Sequence, residues 1–202
     1  VAYLMSLALL DATGHPTQLM LTLFLSPLKW VVMLAPLAVV FFLSARLSSM
    51  SMGVAQATFW GFAALMGISL STIFIVYTRG SIANTFFATA AGFGALSLYG
   101  YTTKRDLSPI GSFLMIGLVG LIIASLINMF LHSSGLQFAI SLIGVVIFAG
   151  LTAFDTQRIK EWYDGGDDAA VMGRKSILGA LNLYLDFINL FLFLLRFMGD
   201  RR

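Results

Sequence analysis

Residues Ile110–Leu131 read IGSFLMIGLVGLIIASLINMFL, an apolar run in which no side chain is charged. A helix needs about 20 residues to cross the ~30 Å hydrocarbon core of a bilayer. The strands of a membrane barrel would alternate between apolar and polar residues, whereas this run is apolar throughout. The stretch therefore predicts a membrane-spanning helix.

The composition of the whole chain agrees with this interpretation. Of 202 residues, 59% are hydrophobic and 10% are charged, and the mean hydropathy is +0.93. Soluble domains carry about 25% charged residues. The chain therefore lacks the polar surface of a soluble enzyme core, and we predict an all-α membrane protein. We expect one transmembrane helical domain over residues 1–202, without enzymatic activity.

Other broad classes of function are disfavoured by composition and motifs. The absence of cysteine excludes thiolate metal sites and thiol catalysis. The net charge of +3 is small and lies at segment ends, which indicates membrane topology rather than nucleic-acid binding. No phosphate-binding loop, zinc-protease or nucleophile-elbow motif occurs in a fitting context. No redox or nucleotide cofactor is therefore expected.

Five further apolar runs accompany the first, at 21–44, 52–77, 82–101, 136–154 and 177–197. The run 1–10 is too short to span a bilayer, and we interpret it as the end of a first membrane helix whose earlier part is absent. The sequence thus predicts a bundle of seven transmembrane helices with the first one truncated. A polar, acidic connector is expected at 157–174.

Prolines and small polar residues suggest contacts between these helices. The second segment contains Pro27 and Pro36, which membrane helices tolerate when a neighbour satisfies the freed carbonyl group. The hydroxyls of Ser69, Ser71 and Thr72 could line a wet path or bond across helices, and we favour the second alternative.

Small side chains predict where helices approach closely. Ala88 and Gly92 are spaced four residues apart on one segment, as are Ala91 and Ala95. Such pairs, together with the glycines of the following segments, allow backbones to come together. The glycines in question are Gly117, Gly120 and Gly150.

The basic residues predict an orientation. If the side preceding the first helix is cytoplasmic, most of the loop arginines and lysines fall on the cytoplasmic side, as the positive-inside rule requires. The basic C-terminal tail opposes this bias if the last helix crosses fully. That helix is then either re-entrant, or its orientation is fixed by packing; the sequence leaves both open.

Two acids lie where charge is unfavourable. Asp155 directly follows the apolar run 136–154, which is the sixth segment when the run 1–10 is counted as the first. Asp186 lies inside the last run, 177–197. A charged side chain at the bilayer centre costs at least about 2.5–3.5 kcal/mol, so such a residue usually has a partner or a function. Asn182 and Asn189 share a helical face with Asp186 and are predicted to support it.

If the two carboxyl groups meet, their chemistry is specific. Two carboxylates in contact in a low-dielectric site cannot both ionise cheaply, so the pair shares a proton. Loss of that proton adds repulsion, which would make the pair a pH-sensitive latch between two helices. Separated, Asp155 and Asp186 would also be oxygen ligands suited to calcium.

Other polar residues invite weaker hypotheses. Arg46 ends the second segment and is a candidate counter-ion of the acids, although an interface anchor explains it equally well. His15 and His132 are too few and too far apart in sequence to predict a metal site.

Three stretches resemble the Bax inhibitor-1 (TMBIM) family. They are LNLYLDFINLFLFLLRFMG at 181–199, FDTQRI at 154–159 and SPLKWVVMLAPL at 26–37. The resemblance covers essentially the whole chain, and the third stretch resembles the bacterial branch. It implies a seven-helix fold with a central last helix, embedded in the lipid bilayer of the inner cell membrane as a multi-pass protein.

The resemblance also implies a function. A pH-sensitive calcium leak would be gated by a di-aspartyl sensor at Asp155 and Asp186, with Arg46 exchanging partners with it. The alternative is a regulatory protein that binds another membrane protein, such as a membrane-bound ATP-dependent protease. An intramembrane hydrolase is disfavoured, because Asp186 lacks the Gly-Asp context of intramembrane aspartyl proteases.

Overall fold

The computed structural model describes residues 1–11, 15–163 and 166–201. The helices of eight or more residues in this part of the chain are α1 (Ala2–Leu9), α2 (Leu28–Arg46), α3 (Met52–Ser69), α4 (Arg79–Thr102), α5 (Ser108–Leu131), α6 (Ser134–Glu161) and α7 (Ala169–Met198). A short turn, Gln18–Met20, and a π-helical turn, Leu21–Leu25, precede α2. Helix α3 continues through Leu70–Thr72 and Ile73–Val76.

The structure confirms a helical membrane protein. Among the described residues, six helices, α2 to α7, are long and apolar enough to cross a bilayer, with α3 counted through Val76. Helix α1 has only 8 residues. The count of seven membrane helices therefore stays a prediction.

The helix ends differ from the predicted ones where polar residues are helical. Helix α6 runs on to Glu161 and α7 begins at Ala169, so most of the predicted connector 157–174 is wrong. Asp164 of that connector lies outside the described residues. The start of the second segment was also misplaced, because Ser26 is extended and α2 begins only at Leu28. Hydropathy measures immersion in lipid, whereas helices continue into the interface.

By its internal contacts, the chain divides into two compact units. Unit 1 comprises 1–78, 167–181 and 201–202, and unit 2 comprises 79–166 and 182–200. Helix α7 contributes its first part to unit 1 and its remainder to unit 2. The prediction of a single domain remains a prediction.

In unit 1, a serine repairs the defect that a proline introduces. Pro36 lies inside α2 and has no N–H to donate to the carbonyl group four residues earlier, that of Val32. The hydroxyl of Ser69 on α3 donates to that carbonyl oxygen at 2.5 Å. The prediction that these hydroxyls bond across helices is confirmed for Ser69, whose bond joins α2 to α3. It is wrong for Ser71 and Thr72, which donate to carbonyl oxygens of their own segment.

In unit 2, helix α6 contacts α4, α5 and α7. Its apolar side chains pack with residues of α5 and α7 in one cluster, formed by Leu114, Leu121, Ile140, Ile147, Phe148, Leu151 and Leu190. Phe148 of α6 also stacks on Phe193 of α7, with ring centroids 5.7 Å apart.

The close approaches lie at other small residues than most of those predicted. Ala88 and Gly92 are exposed, and a Cβ on Gly92 would meet nothing within 4 Å, so that predicted contact is wrong. A Cβ on Gly100 would instead lie 2.1 Å from the carbonyl oxygen of Ala153. Gly150 is confirmed as a contact, because its Cβ position lies 2.5 Å from Leu114.

The second part of α7 runs antiparallel to α4 and α6. Its end is fixed beside the start of α6 by Phe197 and Phe138, whose centroids are 5.4 Å apart. The backbone N–H of Asp200 donates to Ser81 at the start of α4, at 2.9 Å. These two contacts hold the end of α7 against α4 and α6, and both alternatives for the basic tail stay predictions.

Replacing Ser69 by alanine should destabilise the protein. The Val32 carbonyl group would be left without its donor, which costs about 1–3 kcal/mol for a buried polar group. Thermal unfolding in detergent would measure the loss. The control is Ser71→Ala, since Ser71 donates to the carbonyl group of Ile68 in its own segment and, among the described residues, to no other helix. Equal unfolding temperatures for the two variants would contradict the assignment.

Candidate functional site

The side chains of Asp155 and Asp186 meet inside unit 2. They lie within hydrogen-bonding reach of each other, so each carboxyl group is a direct neighbour of the other. Asp155 is on α6 and Asp186 is on α7. The structure thus brings together the two residues that the sequence singled out on consecutive membrane segments.

Asp155 lies in the last two turns of its helix. It is half-buried, and its nearest opposite charge is Arg158, one turn further along α6. The guanidinium of Arg158 also lies over the ring of Trp162, 5.3 Å from its centroid. One arginine therefore offsets part of the negative charge on the α6 side of the pair.

Asp186 is the more deeply buried acid. Its side chain is 5% exposed, and its Oδ2 atom has no hydrogen-bond partner within the described part of the chain. The side chain of Asn189 donates to the carbonyl oxygen of Leu185 in its own helix at 2.8 Å. Asn182 is half-buried one turn before Asp186. The amide of Asn189 is thus used within α7 itself.

This arrangement favours a shared proton over two separate charges. Two unit charges 4 Å apart repel by about 4 kcal/mol at an effective dielectric constant of 20, and Arg158 faces only one of the two acids. A proton between the carboxyl groups replaces that repulsion by a hydrogen bond. The pair can therefore hold two helices together in one protonation state and push them apart in the other.

The role of the pair as calcium ligands stays a prediction. Calcium takes six to eight oxygen ligands. Within the residues that the structure describes, no group of three or more acidic or histidine side chains could hold a metal ion.

Arg46, the candidate counter-ion, lies in unit 1, whereas the acid pair lies in unit 2. It is the last residue of α2 and its side chain is exposed. Its role as a partner of the acids stays a prediction.

Sequence reasoning missed Gln157, two residues after Asp155. The predicted connector began at this residue, but in the structure it is helical and 8% exposed. The signal that could have identified it is the pair of basic residues Arg158 and Lys160, since cations are favoured in the last turn of a helix.

Comparison with known proteins places the chain among membrane proteins. The family described as inhibitor of apoptosis-promoting Bax1 matches residues 1–202. The inner membrane protein YbhL of Escherichia coli K12 is 54% identical over 171 residues, 84% of this chain and 73% of that protein. An uncharacterized protein of Rickettsia prowazekii is 52% identical over 172 residues, 85% of this chain and 73% of its own length.

A more distant relative has a similar description. An uncharacterized membrane protein of Streptococcus pyogenes is 43% identical over 138 residues, 68% of this chain and 60% of that protein.

Replacing Asp186 by asparagine should remove a pH dependence of stability. In the native protein, loss of the shared proton adds repulsion, so stability is present at low pH and falls as the pH rises. Asparagine cannot gain that charge, and the loss of about 1–3 kcal/mol between about pH 6 and pH 8 should vanish. Thermal unfolding in detergent across this range measures the slope.

Asn189→Leu is the control, because it removes a polar group of the same helix without removing a titrating one. Its slope with pH should equal that of the native protein. Parallel slopes for Asp186→Asn and the native protein would contradict the shared proton.

Proposed function

Because this chain belongs to the Bax inhibitor-1 family of membrane proteins, we propose that it is a pH-sensitive calcium leak of the inner cell membrane, gated by Asp155 and Asp186. The family implies a bundle of seven membrane helices around the last one, and the proposal includes that arrangement. The bilayer and calcium ions are its expected partners, and it requires no resident cofactor.

The observation that carries the proposal is the direct contact between two acids on separate membrane helices. Acids within membrane segments are rare and commonly mark ion pathways or proton relays. A purely structural polar contact would be satisfied by uncharged groups, whereas here the Oδ2 atom of Asp186 is buried without a partner. An incompletely satisfied buried acid is unfavourable for stability, which supports a role in function.

The direction of gating follows from charge. Below the pH at which the shared proton is lost, the pair is closed by a hydrogen bond. Above it, two negative charges repel each other, α6 and α7 are pushed apart, and a negatively charged path attractive to cations is created. Calcium flux should therefore rise with pH.

Arg46 is included in the proposal as the group that pairs with a released carboxylate. This role rests on the family resemblance. It predicts that the charge of Arg46 stabilises the open state, in which an unpaired carboxylate is available.

Flux measurements on purified protein in liposomes test the gate. Native protein should conduct calcium several-fold faster at about pH 8 than at about pH 6, because loss of the shared proton favours the open state. A change of about 1.4 kcal/mol in the free-energy difference between the closed and open states alters their ratio about tenfold. The variants Asp155→Asn and Asp186→Asn, which cannot carry two charges, should each show flux that no longer changes with pH.

Asp106→Asn is the control. Asp106 is an acid in the connection between α4 and α5, where the backbone N–H and the side chain of Ser108 hold its pKa below the usual range. It is therefore ionised throughout the range tested, and its removal should leave the pH profile unchanged. Native protein without calcium flux at any pH would contradict the leak.

The regulatory alternative makes the opposite prediction in the same experiment. A protein that acts only by binding a membrane partner should show no calcium flux at any pH and should co-purify with that partner from the membrane. Stable capture of a membrane-bound protease together with absent flux would favour it.

A further inference from the structure

Gln157 clamps the connection between α4 and α5 onto α6. Its Nε2 atom donates to the carbonyl oxygen of Arg105 at 2.8 Å, and its Oε1 atom accepts from the backbone N–H of Leu107 at 2.8 Å. Both ends of the amide are thus bonded to the main chain of one connection. Since Gln157 is 8% exposed and Leu107 is 4% exposed, water competes poorly for these bonds.

Three further contacts fix the same turns of α6. The Gly100 backbone approaches that of Ala153 so closely that an added Cβ would lie 2.1 Å from the carbonyl oxygen. The ring of Phe154 lies 2.6 Å from the Cβ position of Gly111 on α5. The ammonium group of Lys160 donates to the carbonyl oxygen of Tyr101 at 2.8 Å. These contacts surround Asp155 in sequence.

The α7 side of the acid pair is held differently. Around Asp186, helix α7 contacts its neighbours through aromatic rings, such as Phe187 with Phe93 and Phe193 with Phe148. Asn189 bonds within its own helix. Within the described residues, α7 is thus held near Asp186 by ring contacts, among them Phe193 at 2.5 Å from the Cβ position of Gly144, and at its end by the bond from Asp200 to Ser81.

We propose that Gln157 is a positioning residue for the acid pair: by joining α6 to the connection between α4 and α5, it holds Asp155 at the place where the carboxyl group of Asp186 meets it. The inference rests on the proposed function, in which Asp155 and Asp186 form the gate. It adds to the acid pair an uncharged residue on which the position of Asp155 depends.

Several charged groups surround this part of the molecule. Asp155 is faced by Asp186 from α7 and by Arg158 from its own helix. Charged residues of the clamped connection and of the end of α6 lie nearby in sequence: Lys104, Arg105, Asp106, Lys160 and Glu161. Gln157 itself does not titrate between pH 6 and pH 8, so its removal changes position rather than charge.

Amide hydrogen exchange on the full chain in detergent tests the clamp directly. In Gln157→Ala, the amide of Leu107 and those of 153–159 should exchange at least about tenfold faster than in native protein, because the bonds that fix them are gone. Gln157→Glu keeps the acceptor for Leu107 but cannot donate to Arg105, and it should show an intermediate effect. This second variant also decides the inference if Gln157→Ala fails to fold.

Gln137→Ala is the matched control. Gln137 lies near the other end of α6, where its Oε1 atom accepts from Asn128 at 3.3 Å. Its loss should leave exchange at 105–107 and at 153–159 unchanged. Unchanged exchange at 153–159 in Gln157→Ala and Gln157→Glu would overturn the inference, whatever the flux measurements give.

The pH profile of flux separates positioning from simple stabilisation. Gln157→Ala should reduce the ratio of calcium flux at about pH 8 to that at about pH 6 by about threefold or more, because Asp155 is then no longer held where it shares a proton with Asp186. Gln137→Ala should keep the native ratio. A native ratio in Gln157→Ala would overturn the positioning role. A calcium flux that does not change with pH in native protein would contradict the proposed function, and the hydrogen-exchange result alone would then test whether Gln157 fixes α6.

Discussion

A carboxyl group placed among membrane helices has no water to solvate it, and the rest of this structure depends on that constraint. In lipid, each polar group must find a partner within the protein or remain at high free energy. Asp155 and Asp186 meet this requirement by facing each other. The solution is incomplete, since one oxygen of Asp186 remains unpaired within the described chain. Ser97 Oγ and Gln137 Nε2 are likewise buried without a partner in the described chain, but Asp186 is the only acid among these three residues.

Several buried hydroxyl groups find their partner within their own helix. Thr89 donates to Thr85, Ser141 to Gln137 and Thr152 to Phe148, each within its own helix. Such bonds stay intact when neighbouring helices move. Bonds between elements, such as those of Ser69 and Gln157, are the ones that define how helices are held together.

The sequence predicted most of this architecture because hydropathy reports burial in lipid directly. The central parts of six helices and the meeting of Asp155 with Asp186 were within its reach. The helix ends were not predicted, because residues such as Gln157 are polar but helical. Gln157 is buried by the connection between α4 and α5. The sequence also did not predict which face of α4 makes contacts. Gly92 and Gly100 are both glycines of α4, and the position of α6 decides which of the two is covered.

The contact between Gly100 and Ala153 closes one side of α6. Where a single methyl group would not fit between two backbones, neither water nor a hydrated cation can pass. The ring of Phe154 against Gly111 closes the side toward α5 in the same way. In the proposed function, an ion beside Asp155 could therefore not cross α6 toward α4 or α5 at this depth. Tight packing on two sides of α6 thereby leaves only the remaining faces of this helix open to any change around Asp155.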